Sequence, residues 1–500
     1  MEELNAPLPP KGGFKAVLQI EIFKIKEMRI IILIVVFLFI AGNVSAQNSN
    51  MSLKQCIEIA LTNNIQVKQT SLQADVTEVN LKQAKANRLP DLNGNFGYGF
   101  NQGRNVDPLT NSYINQQLTS SNVGLSSDVI LFNGMRLQNL IKQSNFNHEA
   151  AKMDLQQSKY NLTLNVILAY LRVLSNEDVL VTAKAQRDVT QKQVERMEIL
   201  FKEGAAANYL LSDLKGQLGN EEISIINSEN ALQQSKLSLC QLMNIDYNSE
   251  LQLEKTHVEF PSAKYAVSSA DVYQTSLQNL ALIKANDLKI KSAEKGINIS
   301  KSGFYPTLGL GGNLGSSYSS LAETLLPTTI TQEQTGSYVI INGNQNPVLS
   351  QQQNYSASKT GYTRQLNNNL GSFVGLNMQI SLFNSFQTKN NIKLAKINLA
   401  NTQLESDNTK LQLKQNIEQA YLNMTTSFDR CKVLIEQVKN FEESFRAAEV
   451  RFNTGVINSA EYLISKNNLD RTRINLSQSK YEYIFRTKLL DYFQGKMKEK

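Results

Sequence analysis

The strongest ligand and nucleophile chemistry in this chain belongs to two histidines, His148 and His257, and three cysteines, Cys56, Cys240 and Cys431. They are widely spaced, and no zincin motif, His/Cys metal cluster or nucleophile elbow can be assembled around them. Both histidines are therefore expected at the surface or at helix caps, and the cysteines as small buried hydrophobes rather than a disulfide framework. The glycine-rich run that begins Thr307-Leu308-Gly309 invites a phosphate-loop reading. It fails, because the G-x-G-x-x-G spacing breaks at Leu314 and no helical pattern follows. No acid, base, nucleophile or metal set converges, so neither an enzyme nor a cofactor or metal protein is expected. What remains is turn chemistry, in two stretches of similar order: FKEGAAANYLLSDL at 201–214 and FNTGVINSAEYLIS at 452–465. Gly204 and Gly455 are suited to a left-handed conformation that ends one helix. Asn208 and Ser459 are suited to cap the next.

The elements that position these turns come in pairs. The helical pattern at 52–88 ends before Pro90, and a second, at 279–305, ends before Pro306, which lies 216 positions on. Each proline opens a short alternating stretch, DLNGNFGYGF or TLGLGGNLGSS. Two more strands, NVGLSSDVILF and GSFVGLNMQISLF, run into helices through LFNGMR and LFNSFQ, now 251 positions apart. Phe201 and Phe452, and Gly204 and Gly455, keep that offset. The second half thus carries extra residues in a polar loop from about 316 to 370. From Asn133 to Gly204 a continuous helix would reach about 105 Å at ~1.5 Å per residue.

Beyond the turns, Leu211, Leu218, Ile225, Leu232 and Leu239 recur at sevens, as do Tyr462, Leu469, Leu476, Tyr483 and Leu490. Such a seam favours coiled-coil packing. The companion positions Glu221, Ser228 and Ser235 are polar, which suits a single-layer wall wetted on both faces and leaves an ordinary coiled-coil hairpin open. Four strands, near 91–100, 122–132, 306–315 and 371–383, have the length that crosses an outer membrane at a tilt. Four strands cannot close alone, so closure demands several chains. Phe96, Tyr98, Phe100, Phe132, Phe304, Tyr305, Phe373 and Phe383 are candidate interfacial aromatics in a chain without Trp.

Composition agrees with an exported, polar-surfaced protein: 41% hydrophobic and 19% charged, against typical values of roughly 45–50% and ~25%. From Met28, MRIIILIVVFLFIAGNVSAQ reads as an export signal cut after Ala46, too short in its apolar run for a spanning helix, with Met28 an alternative start to Met1. Without residues 1–46 the chain holds 46 basic and 40 acidic residues spread along its length, which does not make a nucleic-acid patch. The domain reading is a signal at 1–46 and repeats at 47–268 and 269–500.

The paired ANRLPDL and SGFYPTL junctions, the LFNGMR and LFNSFQ junctions and the paired aromatic-x-x-Gly turns, in this order, make the chain resemble the TolC-type outer-membrane efflux proteins over residues 50–495. The resemblance implies a mainly α fold with a membrane β-barrel: a homotrimer in which each chain gives four strands to a twelve-stranded barrel, above long coiled-coil helices forming a periplasmic tunnel. It implies a passive exit duct in outer-membrane lipid, served by a periplasmic adaptor and an inner-membrane pump. The exit of a type I protein secretion system is an alternative within this architecture, and a non-channel periplasmic coiled-coil scaffold is one outside it. By resemblance the turn residues Phe201, Gly204, Asn208, Phe452, Gly455 and Ser459 lie at the periplasmic tip where the adaptor docks. Family members carry acidic residues at the sixth and ninth positions after the second-turn glycine. Here the sixth is Glu461 and the ninth is Ile464, and in the first turn the sixth is Leu210 with Asp213 three further on. Glu461 and Asp213 are thus the expected constriction, Glu461 competing with a plain reading as a helix-start carboxylate.

Overall fold

A computed structural model describes residues 50–106, 111–115, 117–255 and 263–496. The export signal and His257 lie outside them. Each repeat opens with two short helices: α1 (Leu53–Asn63) and α2 (Ile65–Ala86) in the first, α5 (Ser269–Asn279) and α6 (Ala281–Lys301) in the second. The single helix expected over 52–88 is therefore broken. Asn64 leaves the helical region (φ −60°, ψ 124°) and its side chain accepts from the Val67 N–H, so one asparagine ends α1 and caps α2. The equivalent break falls at Leu280, 216 positions later, without a side-chain cap.

Strand β1 (Asn93–Asn101) follows α2, the short pair β2 (Arg104–Val106) and β3 (Tyr113–Asn115) comes next, and β4 (Leu118–Asn133) returns. A 67-residue helix, α3 (Arg136–Lys202), and α4 (Asn208–Met243) complete the first repeat. In the second, β5 (Thr307–Ser319) is followed by β6 (Glu323–Ile341), β7 (Asn344–Lys359) and α7 (Tyr362–Asn368), then β8 (Gly371–Gln379), α8 (Gln387–Asn453, again 67 residues) and α9 (Ser459–Phe493). At ~1.5 Å per residue α3 and α8 are each about 100 Å long. The stretch expected as a polar loop at 316–370 is instead a long hairpin and a short helix.

The sheet order is β1-β4-β5-β8, antiparallel throughout. Its two hairpins share one register: Asn93 faces Ser126 in the first, and Gly309, 216 positions after Asn93, faces Asn377, 251 positions after Ser126. The glycine run at 309–315 is strand β5. The strand expected to reach Phe383 stops at Gln379, whereas its equivalent β4 runs on to Asn133. The difference is one of neighbours: β4 is paired on both sides, β8 only with β5.

Packing follows the repeat. α2 lies on α3, α3 on α6, and α6 on α8, while α4 returns along α3 and α9 along α8. One core surrounds Cys56, Val166, Tyr170, Leu239, Cys240 and Met243. A second surrounds Ile417, Met424, Tyr483 and Leu490, and a third, near the turns, joins Val194, Met197, Leu211, Leu214, Phe452 and Tyr462. All three cysteines are free and buried, and burial pushes the Cys56 thiol up to about 12. His148 is buried too, with Nδ1 3.2 Å from the Thr77 hydroxyl, which corrects the expectation of a surface or capping residue. No helix among the described residues is long and apolar enough to cross a membrane.

Candidate functional site

Two regions carry the geometry of a conduit: the faces of the sheet and the tips of the long hairpins. Side chains alternate across a strand, and paired residues share a face. The registers therefore put Phe96, Tyr98 and Phe100 of β1, Val123, Leu125 and Val129 of β4, Leu308, Leu310 and Leu314 of β5, and Val374, Leu376 and Met378 of β8 on one face. The other face holds Asn93, Asn95, Asn122, Ser126, Asp128, Asn313, Asn377 and Gln379 among glycines. An apolar face without a charge and a polar face with an aspartate is the division a membrane strand needs between lipid and lumen.

Of the expected interfacial aromatics, Phe96, Tyr98, Phe100 and Phe132 belong to the apolar face. Phe373 does not: it pairs with Asn313 on the polar face. Its position is set by strand parity, which an aromatic count does not see. Phe304 and Tyr305 stand exposed at the helix-to-strand junction, and Phe383 packs edge-on to Phe386 with ring centroids 5.5 Å apart.

At the tips, Gly204 (φ +73°) and Gly455 (φ +76°) end their helices in the same way. The Gly204 N–H donates to Phe201 O and the Ala205 N–H to Leu200 O; the Gly455 N–H donates to Phe452 O and the Val456 N–H to Arg451 O. Both are Schellman closures, for which a left-handed residue is required. The caps that follow sit one residue earlier than expected. Ala207, not Asn208, is the N-cap of α4 and supplies no side-chain bond. Asn458, not Ser459, caps α9, its Oδ1 accepting from the Glu461 N–H at 2.9 Å. Ser459 is released from capping because it points elsewhere: it is buried, and its hydroxyl donates to Asp213 Oδ2 at 2.7 Å.

The structure thus brings Asp213 and Ser459 together across the two hairpins. Glu461 stays exposed, its Oε1 3.3 Å from Asn458 Nδ2, in the first turn of α9 where a carboxylate complements the helix dipole. Phe201 is half exposed, whereas Phe452 is buried and stacked on Tyr462 at 4.6 Å.

Above the tips lies a group that the sequence reading passed over. Lys466 of α9 is 2% exposed, and its Nζ donates to Glu221 Oε1 of α4 at 2.8 Å and to Asp470 Oδ2 at 2.7 Å. Thr190 of α3 and Gln217 donate to the same Glu221 oxygen at 2.9 Å each. Burial raises the Asp470 pKa, opposed by Lys466. With Arg196 donating to Asn453 O at 2.9 Å, Gln217 to Asn467 at 3.0 Å and Tyr481 to Asp178 at 2.7 Å, this is a polar ladder joining the first hairpin to the second. The available signal was Lys466 four residues after Tyr462 and three before Leu469, a cation on the apolar seam, with Glu221 at a polar seam position of the other helix.

Comparison with known proteins gives concordant matches. The family profile described as outer membrane efflux protein matches residues 56–244 and 272–486. Outer membrane protein TolC of Salmonella enteritidis is 22% identical over 483 residues, covering 95% of this chain and 87% of that protein. Among solved structures, the outer membrane protein VceC of Vibrio cholerae superposes with a TM-score of 0.71 at 14% identity, covering 89% of this chain and 96% of that one. The CmeC outer membrane channel of Campylobacter jejuni gives 0.71 at 15% identity, covering 91% and 90%.

Proposed function

The chain belongs to the outer membrane efflux protein family, and from that premise we propose that it is the exit duct of a tripartite efflux system. In this reading a homotrimer in the outer membrane passively carries small molecules delivered by an inner-membrane pump through a periplasmic adaptor. One observation carries it: the junctions satisfied inside the chain recur, unsatisfied, at its two flanks. Where the repeats adjoin, β4 pairs with β5 and α3 packs on α6. Advancing the first repeat by 251 positions and moving the second back by 216 sets β8 against β1, and α8 against α2, of a neighbouring copy. Both flanks are open. β1 and β8 are the edges of the sheet, and Leu394, Ile397, Leu404 and Leu411 of α8 and Ile65, Leu72, Val76 and Val79 of α2 are exposed. An edge facing lipid leaves backbone groups without partners, so the strands close only with further copies.

The same shift predicts the closure register. Leu125 faces Leu314 within the chain, so Leu376 faces Tyr98 of the next copy. A Tyr98→Cys/Leu376→Cys variant, whose native cysteines are buried, is expected to give covalent trimers on oxidation of outer-membrane fractions, and each single variant none. Monomers alone from the double variant would overturn the closure.

The tips are assigned to the adaptor and the constriction. Phe201, Gly204, Asn208 and Gly455 are the exposed part of the docking end, and Phe452 and Ser459, buried beneath them, hold its shape. Asp213 and Glu461 are both exposed, but Asp213 is tied across the hairpins to Ser459 whereas Glu461 meets Asn458 of its own turn, so Glu461 is taken as the residue that repeats around the axis, where three carboxylates favour cations. Glu461→Ala is expected to weaken cation preference and block by divalent cations in single-channel recordings. Unchanged block would leave Glu461 as a helix-start carboxylate.

A further inference from the structure

Among the described residues of the first repeat, the equivalent of the β6–β7 hairpin is the short β2–β3 pair. At ~3.3 Å per residue the 16 residues of β7 make an arm of about 50 Å. Its root is fixed to the sheet. Gln365 of α7, 2% exposed, donates to Ser319 O and Thr360 O and accepts from the Ser319 N–H. The Thr324 and Thr360 hydroxyls lie 2.7 Å apart, and the Ser316 hydroxyl donates to Leu366 O. The far end turns through Asn342 (φ +51°) and Gly343 (φ +86°), the Asn-Gly pair of a tight hairpin.

An arm in water is expected to be polar on at least one face. This one carries exposed apolar side chains on both faces near its tip, with Val339, Ile340 and Ile341 of β6 standing opposite Asn346, Gln345 and Asn344 of β7. The register puts Tyr338, Ile340 and Leu349 on one face, and Val339, Ile341 and Val348 on the other. All six are exposed or at the edge of it, from 36% for Val348 to 64% for Ile340. No charged residue occurs from Gln334 to Ser358. The strand edges, by contrast, are blunted by Pro327 and Pro347 and by register shifts after Pro327 and Gln334. The surface on offer is side-chain faces, not backbone edges.

Resting on the trimeric duct above, we propose that the three arm tips pack on one another over the outer mouth, the Tyr338–Ile340–Leu349 face of each against the Val339–Ile341–Val348 face of the next. Closed three-fold assemblies are built from heterologous contacts, which need two different complementary surfaces per copy. The tip has two such faces. The absence of charge removes repulsion between identical copies, and it also removes the Lys and Arg that attraction to an anionic lipid surface requires. Reach is sufficient. Twelve strands ~4.8 Å apart and tilted by ~40° place the arm roots roughly 20 Å from one another, so a lean of roughly 15° over 50 Å brings the tips together. The shared barrel keeps the local concentration of tips high.

The test is an Ile340→Cys/Ile341→Cys variant oxidised in intact cells beside the Tyr98→Cys/Leu376→Cys variant. One thiol on each face predicts a shift of the tip variant from monomer to covalent trimer, whereas either single tip variant stops at dimer or monomer. Covalent trimers from the sheet-edge pair with none from the tip pair would overturn the cap and leave the duct standing. Trimers from neither pair would remove the duct and the cap with it. Tip thiols that react with a membrane-partitioned reagent and form no trimer would identify lipid as the occupant and overturn the proposal.

Discussion

Lys215 and Lys466 occupy equivalent positions, 251 apart, in the two returning helices. Lys215 lies on the surface, 2.8 Å from Glu198, with both side chains well exposed. Lys466 is sealed between Glu221 and Asp470. The backbone around them is the same: two 67-residue helices, two Schellman closures and two returning helices in one register. Repetition preserved the geometry that each hairpin needs by itself, while the polar contacts diverged to join one hairpin to the other. The second tip is accordingly the more embedded, with Phe452 buried where Phe201 is not.

The largest effect should come from that lysine pair. Lys466→Met strands a buried Glu221 and should cost about 3–5 kcal/mol, read as a lower melting midpoint of the detergent-purified protein. Lys215→Met should leave the midpoint where it is. Equal effects would mean that the two lysines are held alike.

The strand-to-helix junctions give the next contrast. Gly134 (φ +64°) and its equivalent Ser385 (φ +52°) are both left-handed, but a Cβ on Gly134 would lie 2.8 Å from Tyr305 Cβ and 2.9 Å from Ser302 O. Gly134→Val combines left-handed strain with overpacking and should cost about 2–4 kcal/mol. Ser385→Gly should be neutral or stabilising by a few tenths. Urea melts of the two variants would check both.

Acid should sharpen the picture at the buried lysine. Burial raises the Asp470 pKa in the folded chain, so the fold favours its protonated form. Its contribution is fully present below the ordinary aspartate range and is lost as pH rises through the elevated value. Its part of the pH dependence should therefore favour the fold as pH falls through the elevated value toward the ordinary aspartate range, and Asp470→Asn should flatten that slope. A slope unchanged in Asp470→Asn would assign it to another group.

The smallest contrast is at the caps. Asn458→Ala should cost about 1 kcal/mol, and Ala207→Asn, which supplies the cap missing from α4, should gain somewhat less. Hydrogen exchange confined to the two turns would report both.

Much of this was legible in the sequence because the fold repeats strong local signals. Pro90 and Pro306, the sevenfold Leu and Tyr seam and the alternating strands each mark an element, and their offsets align the halves. The departures have physical causes. Asn64 breaks a helix by capping the next one, a role invisible in an otherwise periodic stretch. The arm is built from Thr, Gln, Asn and Ser, and its strand signal is weak because no buried face imposes alternation. Strand β8 stops short because one chain offers it a single neighbour. At the tip, the glycines were plain from sequence. Asn458 and Ser459 exchanged roles because a serine that can cap bonded instead to Asp213, 246 residues away. Lys466 escaped for the same reason: its partner Glu221 lies on another helix, and a cation on a seam is explained only when both are seen.

As proposed above, this chain becomes a tube only as three copies. The direct test is native mass together with particle shape by electron microscopy, on protein extracted from the outer-membrane fraction in mild detergent. The expected particle is a trimer whose helical cylinder extends on the order of 100 Å beyond the membrane-embedded sheet. A water-soluble monomer or a dimeric rod would contradict it and leave the same two hairpins as a coiled-coil scaffold.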